Sequence, residues 1–300
     1  MLDLNQPDKK TRLKAWVFYI IPHHLVSRLV YFVTRLRGPI VQPMINWFIR
    51  KFEVDMTDSE SPDPVVFKTF NEFFTRALKP EARPVVPGPN MLACPVDGTV
   101  SEAGEIKGQG ILQAKGHQYT VLELLGGDES MAAMFENGQF ATIYLAPYNY
   151  HRIHIPVDGV LHKMLHIPGR LFSVAPWTVN TVPRLFARNE RVVCLFSTAA
   201  GPMAMVLVGA INVAAIETVW AGVVTPPKGR KISAFDYRKT RKQYAKGDEI
   251  GRFNMGSTVI LLTGARVEWM QKIGNGQKVK MGELIGHFPI PKSPAEPVKR

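Results

Sequence analysis

An α+β fold, mainly β with amphipathic helices in front, is predicted by three features of this 300-residue chain. Beyond Pro80, short β-branched runs alternate with Gly and Pro, as at Thr99-Val100, Ala141 to Leu145, Val192 to Phe196 and Met205 to Leu207. That is the texture of strands separated by turns. Ahead of it, Leu25, Val26, Leu29, Val30, Val33 and Leu36 recur at helical spacing, with Arg28 and Arg35 on the other face and Gly38-Pro39 as the stop. A content of 46% hydrophobic and 21% charged residues lets the chain bury a substantial core rather than stay disordered.

Taken in order, the first segment is basic and aromatic. Lys9 to Lys51 holds nine Lys or Arg and no Asp or Glu, interleaved with Trp16, Phe18, Tyr19, Tyr31, Phe32, Trp47 and Phe48. With a formal net charge of +12 and a pI near 9.7, this implies attraction to a polyanion. No helix-turn-helix, zinc-finger or aromatic RNA-binding signature accompanies the charge, so no nucleic-acid partner is expected. The apolar run Ala15 to Ile21 is far shorter than the ~20 residues that span a bilayer. Residues 1–56 are therefore expected to be membrane-associating helices that lie on an anionic surface, with a second helix at Met44 to Phe52. No cleavable export signal opens the chain, and two cysteines, Cys94 and Cys194, suit small buried side chains in a reducing compartment. The expected location is the cytoplasmic side of the cell membrane, as a peripheral protein.

Asp55 to Pro64 reads as a linker, and Phe67 to Leu78 as one more helix whose aromatic face docks on the main domain. Residues 57–300 form the expected catalytic domain, barrel- or sandwich-like. Within it Pro95-Val96-Asp97-Gly98-Thr99-Val100 and Pro156-Val157-Asp158-Gly159-Val160 echo one another, each a turn leading into a strand. Gly276 to Gly286 is similar to the closing hairpin of a lipoyl-type barrel, a likeness of fold alone.

Chemistry concentrates in Gly251-Arg252-Phe253-Asn254-Met255-Gly256-Ser257-Thr258-Val259-Ile260. A serine directly after a glycine, at the head of an apolar run, can attack the unhindered Gly256 carbonyl if a base removes its proton. The same tripeptide is also an ordinary turn before the strand Thr258 to Thr263. A base near neutral pH points to histidine, and His151 and His154 sit three apart between a strand and a proline-marked turn. A His-x-x-His pair can be a metal half-site, but no clustered Cys, His or carboxylate completes one, and no metal is expected. Either Asp97 or Asp158 could orient an imidazole, and spacing does not choose between them.

Several motifs in one order resemble bacterial phosphatidylserine decarboxylase proenzymes over nearly the whole chain. They are Phe70-Asn71-Glu72-Phe73-Phe74, Pro95-Val96-Asp97-Gly98, Leu112 to His117, Tyr150-His151-Arg152-Ile153-His154, Leu185 to Arg191, Ile216 to Gly222, and Gly251-Arg252-Phe253 with Gly256-Ser257-Thr258. The resemblance implies that Asp97, His154 and Ser257 drive self-cleavage between Gly256 and Ser257. It thereby selects Asp97 over Asp158. The products would be a β chain, 1–256, and an α chain, 257–300, whose first residue becomes a covalent pyruvoyl group without PLP. That group would form a Schiff base with phosphatidylserine of an anionic membrane, giving phosphatidylethanolamine, and His151 would donate the final proton. The two chains of one precursor stay partners, and a homodimer is left open. Met255 departs from the family's usual Leu, a change that keeps volume and apolarity. Two alternatives remain: a serine hydrolase using the same three residues, though it lacks the Gly-x-Ser-x-Gly elbow, and an unprocessed lipid-binding relative.

Overall fold

The run that opens at Ser257 is apolar on both faces because it becomes the middle of a sheet covered on both sides. The computed structural model describes residues 22–289 apart from 115–116, 212–214, 226–230, 256 and 272. Ala15 to Ile21, Lys115-Gly116 of one motif and Gly256 on the carbonyl side of the expected scissile bond therefore lie outside the described residues. The strands that frame the site are β1 (Gly98–Glu105), β2 (Gln139–Leu145), β3 (Arg152–His154), β4 (Gly159–Ile167), β5 (Arg191–Thr198), β6 (Gly201–Val208), β7 (Glu249–Phe253) and β8 (Ser257–Thr263). The main sheet has nine strands in the order Ser233–Asp236, β4, β5, β6, β8, β2, β1 and Lys278–Val279, with Gln243–Tyr244 added against β4. All its pairings are antiparallel.

Every residue of β8 is buried, and Val259, Ile260, Leu261 and Leu262 are fully enclosed. Each such side chain contributes about 1.5–3 kcal/mol through burial, so the strand that carries Ser257 is held hard in register between β6 and β2. A second, four-stranded sheet orders Gly222–Val223, Ile216–Thr218, β7 and β3. The chain therefore passes from one sheet to the other between Phe253 and Ser257.

Both echo segments lead into strands as expected, one into β1 and the other into β4. Gly98 has a packing reason, since a Cβ there would lie 2.5 Å from the Tyr144 carbonyl oxygen of the neighbouring strand. The expected hairpin over Gly276 to Gly286 does not form. Lys278–Val279 pairs with β1, whereas Leu284–His287 pairs with Met91–Ala93 and Glu268–Trp269 in another sheet. Gly282, at φ +85° and against the Pro84 carbonyl, turns the chain between them, and its own carbonyl accepts from Val86 N. Neighbours distant in sequence thus take the edges that a hairpin would have used, and the sheets are open.

In the first segment the helices are α1 (His23–Val33) and α2 (Val41–Phe52), and α3 (Phe70–Phe74) follows the linker. α2 buries Val41, Ile45 and Phe48, one face of a helix, in a cluster with Val54, Phe70, Phe73 and Phe74. Packing thus crosses residue 56. α1 is reversed: His23 and Ser27 are buried while Leu25, Leu29 and Phe32 are more than 60% exposed. α3 is shorter than the expected Phe67 to Leu78. Its start is fixed by Thr69 Oγ1, which accepts from Glu72 N, and by Glu72, which accepts from Lys68 N. It stops at Phe74 because the following residues extend to pair with the linker: Glu60 N donates to Ala77 O, Lys79 N to Asp58 O, and Ser59 bridges Leu78.

Candidate active site

Ser257 is the first residue of β8, opposite Leu145 of β2. It is fully buried and its hydroxyl has no hydrogen-bond partner among the described residues. A buried hydroxyl left unpaired costs roughly 1–3 kcal/mol, a cost that a reactive group can justify. Just upstream, Asn254 is pinned through both N and Nδ2 to the Ala215 carbonyl. Met255 stands against an apolar cavity of about 120 Å³ bordered by Phe48 and Phe52 of α2, Phe74 of α3, Pro147 and the Ser173–Ala175 turn.

The two histidines occupy opposite ends of β3. His151 precedes the strand, and its carbonyl accepts from Phe253 N at the end of β7. His154 closes the strand, opposite Glu249. His151 is completely buried, with its ring 4.1 Å from that of Phe74. Its Nδ1 lies 2.8 Å from the Asn149 carbonyl, which can only accept, so Nδ1 carries the proton and Nε2 is a bare lone pair without a partner. Burial, helped by the Arg76 charge, holds this imidazole far below its ordinary value, at about 3. The loop before it is braced by Ala146 N donating to Asn149 Oδ1.

His154 is differently employed. Its Nδ1 donates to the Gly247 carbonyl at 2.7 Å, so Nε2 accepts from the Tyr150 hydroxyl at 3.0 Å. Burial lowers the basicity of this ring as well and raises the Tyr150 phenol, which stays a protonated donor. Asp97 is buried, but its carboxylate is clamped by Arg83, Nε to Oδ1 at 2.9 Å and Nη2 to Oδ2 at 2.6 Å, and Oδ1 also accepts from Met281 N. Arg83 Nη1 reaches on to Asp58 at 2.7 Å. Asp97, His154 and Ser257 are thus not joined to one another by hydrogen bonds here, and the group that orients His154 is the Gly247 carbonyl. Asp158, the other echo, is exposed and accepts from Lys246 N.

Four participants escaped the sequence. Arg83, Arg76 and Gly247 reach the cluster through packing between segments distant in sequence, whereas Tyr150 is four residues from its partner His154 and lies within a quoted motif. Arg76, just beyond α3, is 5% exposed and sits 5.5 Å from the Phe73 ring.

The model of one family, described as phosphatidylserine decarboxylase, matches residues 70–287, and a second, described as PSD, matches residues 13–53. The chain belongs to the phosphatidylserine decarboxylase family. A phosphatidylserine decarboxylase proenzyme of Alkalilimnicola ehrlichii is 56% identical over 256 residues, 85% of this chain and 89% of its own. One from Stutzerimonas stutzeri is 50% identical over 295 residues, 97% and 99% of the two chains. Another, from Methylococcus capsulatus, is 50% identical over 277 residues, 92% and 96%. Family membership makes the chain an enzyme of the carboxy-lyase class.

Proposed function

We propose that this chain decarboxylates phosphatidylserine to phosphatidylethanolamine with a pyruvoyl group made from its own Ser257 after cleavage of the Gly256-Ser257 bond. The observation that carries the reading is the Ser257 hydroxyl, fully buried and unpartnered at the head of a wholly buried strand. Buried hydroxyls are usually hydrogen-bonded, and the Ser257 hydroxyl shares its unpaired state with those of Thr142, Thr178 and Thr258; what sets it apart is its place directly after Gly256. The surroundings fit a group built there: an apolar cavity beside Met255 and a neutral imidazole with one bare nitrogen.

The chain's own steps balance as follows. The Ser257 oxygen attacks the Gly256 carbonyl carbon as a base takes its proton, and the amide becomes an ester with a free amine at Ser257. Loss of the Ser257 α-proton expels the carboxylate of the 1–256 chain. Water then replaces the nitrogen of the dehydrated residue, releasing ammonia and leaving the ketone at the head of the 257–300 chain. That ketone supplies an electron sink conjugated to the substrate amine when carbon dioxide departs.

The family motifs assign proton removal to His154 supported by Asp97. In the present geometry Tyr150 must first release His154 Nε2, whereas His151 Nε2 has no partner but belongs to a ring whose lowered pKa makes it a weak base and, once protonated, a strong acid, which suits giving a proton after decarboxylation. His151 is therefore proposed as the proton donor and His154 as the base.

Residues 1–56 are proposed to dock the enzyme on the cytoplasmic leaflet. Leu25, Leu29 and Phe32 of α1, with Ile40 and Trp47 beside and on α2, point outward, and no helix of the described residues is long and apolar enough to cross a membrane. Phe48 and Phe52 of the same α2 border the cavity, so the segment proposed to dock also forms part of the cavity wall. Intact-mass analysis tests the proposal: two fragments, 1–256 and a 300 − 256 = 44-residue chain without a free α-amine, and one whole chain for Ser257→Ala. Normal fragments from Ser257→Ala would refute it.

A further inference from the structure

Two arginines, Arg76 and Arg191, are buried and a third, Arg83, is half-buried, and the fold treats one of them differently. Arg191 is 2% exposed and gives its guanidinium to three carbonyls, those of Leu124, Asn189 and Glu123, at 2.7–2.8 Å. Arg83 is held by the carboxylates of Asp97 and Asp58. Arg76, at 5% exposure, has only a long 3.5 Å contact from Nη2 to the Tyr148 carbonyl. Its Nε is buried without a partner, and no carboxylate among the described residues is in ion-pair contact with it. A desolvated guanidinium with idle donors is costly, and its planar fork matches an oxyanion.

Its place connects it to the site. Phe74, two residues earlier, borders the cavity and stacks on His151, Pro147 next to Tyr148 also borders it, and the Arg76 charge is felt at the His151 ring. On the decarboxylase reading, the substrate headgroup carries two oxyanions, a carboxylate and a phosphodiester. A cation paired tightly with the carboxylate would stabilise the ground state and lose its partner as carbon dioxide forms, which slows the reaction. The phosphodiester keeps its charge from substrate to product. We propose that Arg76 is the headgroup-binding residue of this enzyme and grips the phosphodiester.

The test uses the full chain carrying Arg76→Gln or Arg76→Lys, with self-cleavage checked first on a denaturing gel. For cleaved protein, KM and kcat are measured on phosphatidylserine in non-ionic mixed micelles, and inhibition is measured with phosphatidylethanolamine, which keeps the phosphodiester and lacks the carboxylate. Arg76→Gln should raise KM at least about tenfold, roughly the value of one charge-assisted contact, and weaken inhibition by phosphatidylethanolamine by the same factor, with Arg76→Lys between it and the parent. Unchanged KM and inhibition overturn the proposal. A raised KM with unchanged phosphatidylethanolamine inhibition assigns the cation to the carboxylate and overturns the phosphodiester assignment. If Arg76→Gln stays uncleaved, Ser257→Ala and Ser257→Ala/Arg76→Gln are compared for binding to phosphatidylethanolamine-doped against undoped micelles, and equal preference overturns the proposal. Should the parent chain release no carbon dioxide, the decarboxylase reading has failed, and the same micelle comparison still decides Arg76.

Discussion

Acid should unfold this protein partly through one side chain, His151. Its imidazole is wholly buried, faces Phe74 and lies in the field of Arg76, so the folded chain takes up its proton only near pH 3. The unfolded chain takes it up near 6.5. Between these values the unfolded state binds more protons, so stability falls as the pH drops below about 6.5 and is unaffected by this group above it. The slope is about 1.4 kcal/mol per pH unit, which amounts to about 2 kcal/mol at pH 5. Urea unfolding at pH 7.5 and pH 5.0 measures it, best on the uncut Ser257→Ala chain. Adding His151→Gln should shrink the loss between the two pH values by about 2 kcal/mol, whatever it does to stability at pH 7.5. His154 is also depressed by burial but is present in both proteins and cancels. Equal losses in the two chains would show that the His151 ring is not held neutral by its surroundings.

Asp97→Asn should stall cleavage on a denaturing gel and destabilise the chain by about 3–5 kcal/mol in urea unfolding, because it breaks a buried bidentate pair with Arg83. Asp158→Asn, at an exposed carboxylate that holds one backbone N–H, should be processed normally; the opposite pattern would mean that the wrong echo was chosen. Leu29→Glu/Phe32→Glu, on the outer face of α1, should weaken flotation with anionic vesicles several-fold while leaving the Ser257 fragments normal. The remaining binding should fall further with salt, since basic residues near such a surface contribute about 1 kcal/mol each within a Debye length.

What could be read from the chain was local and periodic. The strands at Ala141 to Leu145, Val192 to Phe196 and Thr258 to Thr263 are each enclosed within an observed strand, because β-branched runs between turn residues leave few other choices. α1 and α2 were likewise legible from spacing. What failed was set by distant partners: the helix from Phe67 ends at Phe74 because Ala77 to Lys79 pair with Asp58 to Glu60, and the C-terminal strands join two different sheets. The site was legible as residue types and order, with Ser257, His151, His154 and Asp97 all buried. Their actual partners, Arg83 for Asp97 and Tyr150 and Gly247 for His154, lie 14, 4 and 93 residues away, and spacing holds no record of such pairings.

The first segment is packed into the rest of the fold. One face of α2 supplies Val41, Ile45 and Phe48 to a cluster completed by Phe70, Phe73 and Phe74. Phe74 in turn covers His151, and Phe48 and Phe52 border the cavity at Met255. Asp58, just past the same segment, holds the Arg83 that clamps Asp97. A truncation at residue 56 would therefore strip the cavity wall and bare the apolar face of α3 as well as remove the outward-facing Leu25, Leu29 and Phe32, so its effect on vesicle binding would mix two causes. Changes confined to Leu29 and Phe32 leave α2 in place and separate them. The outer residue Trp47 and the inner residue Phe48 are neighbours on one helix. Phe48 lies edge-on to Phe74, whose ring faces His151, so the inner face of α2 reaches that histidine through a single intervening side chain.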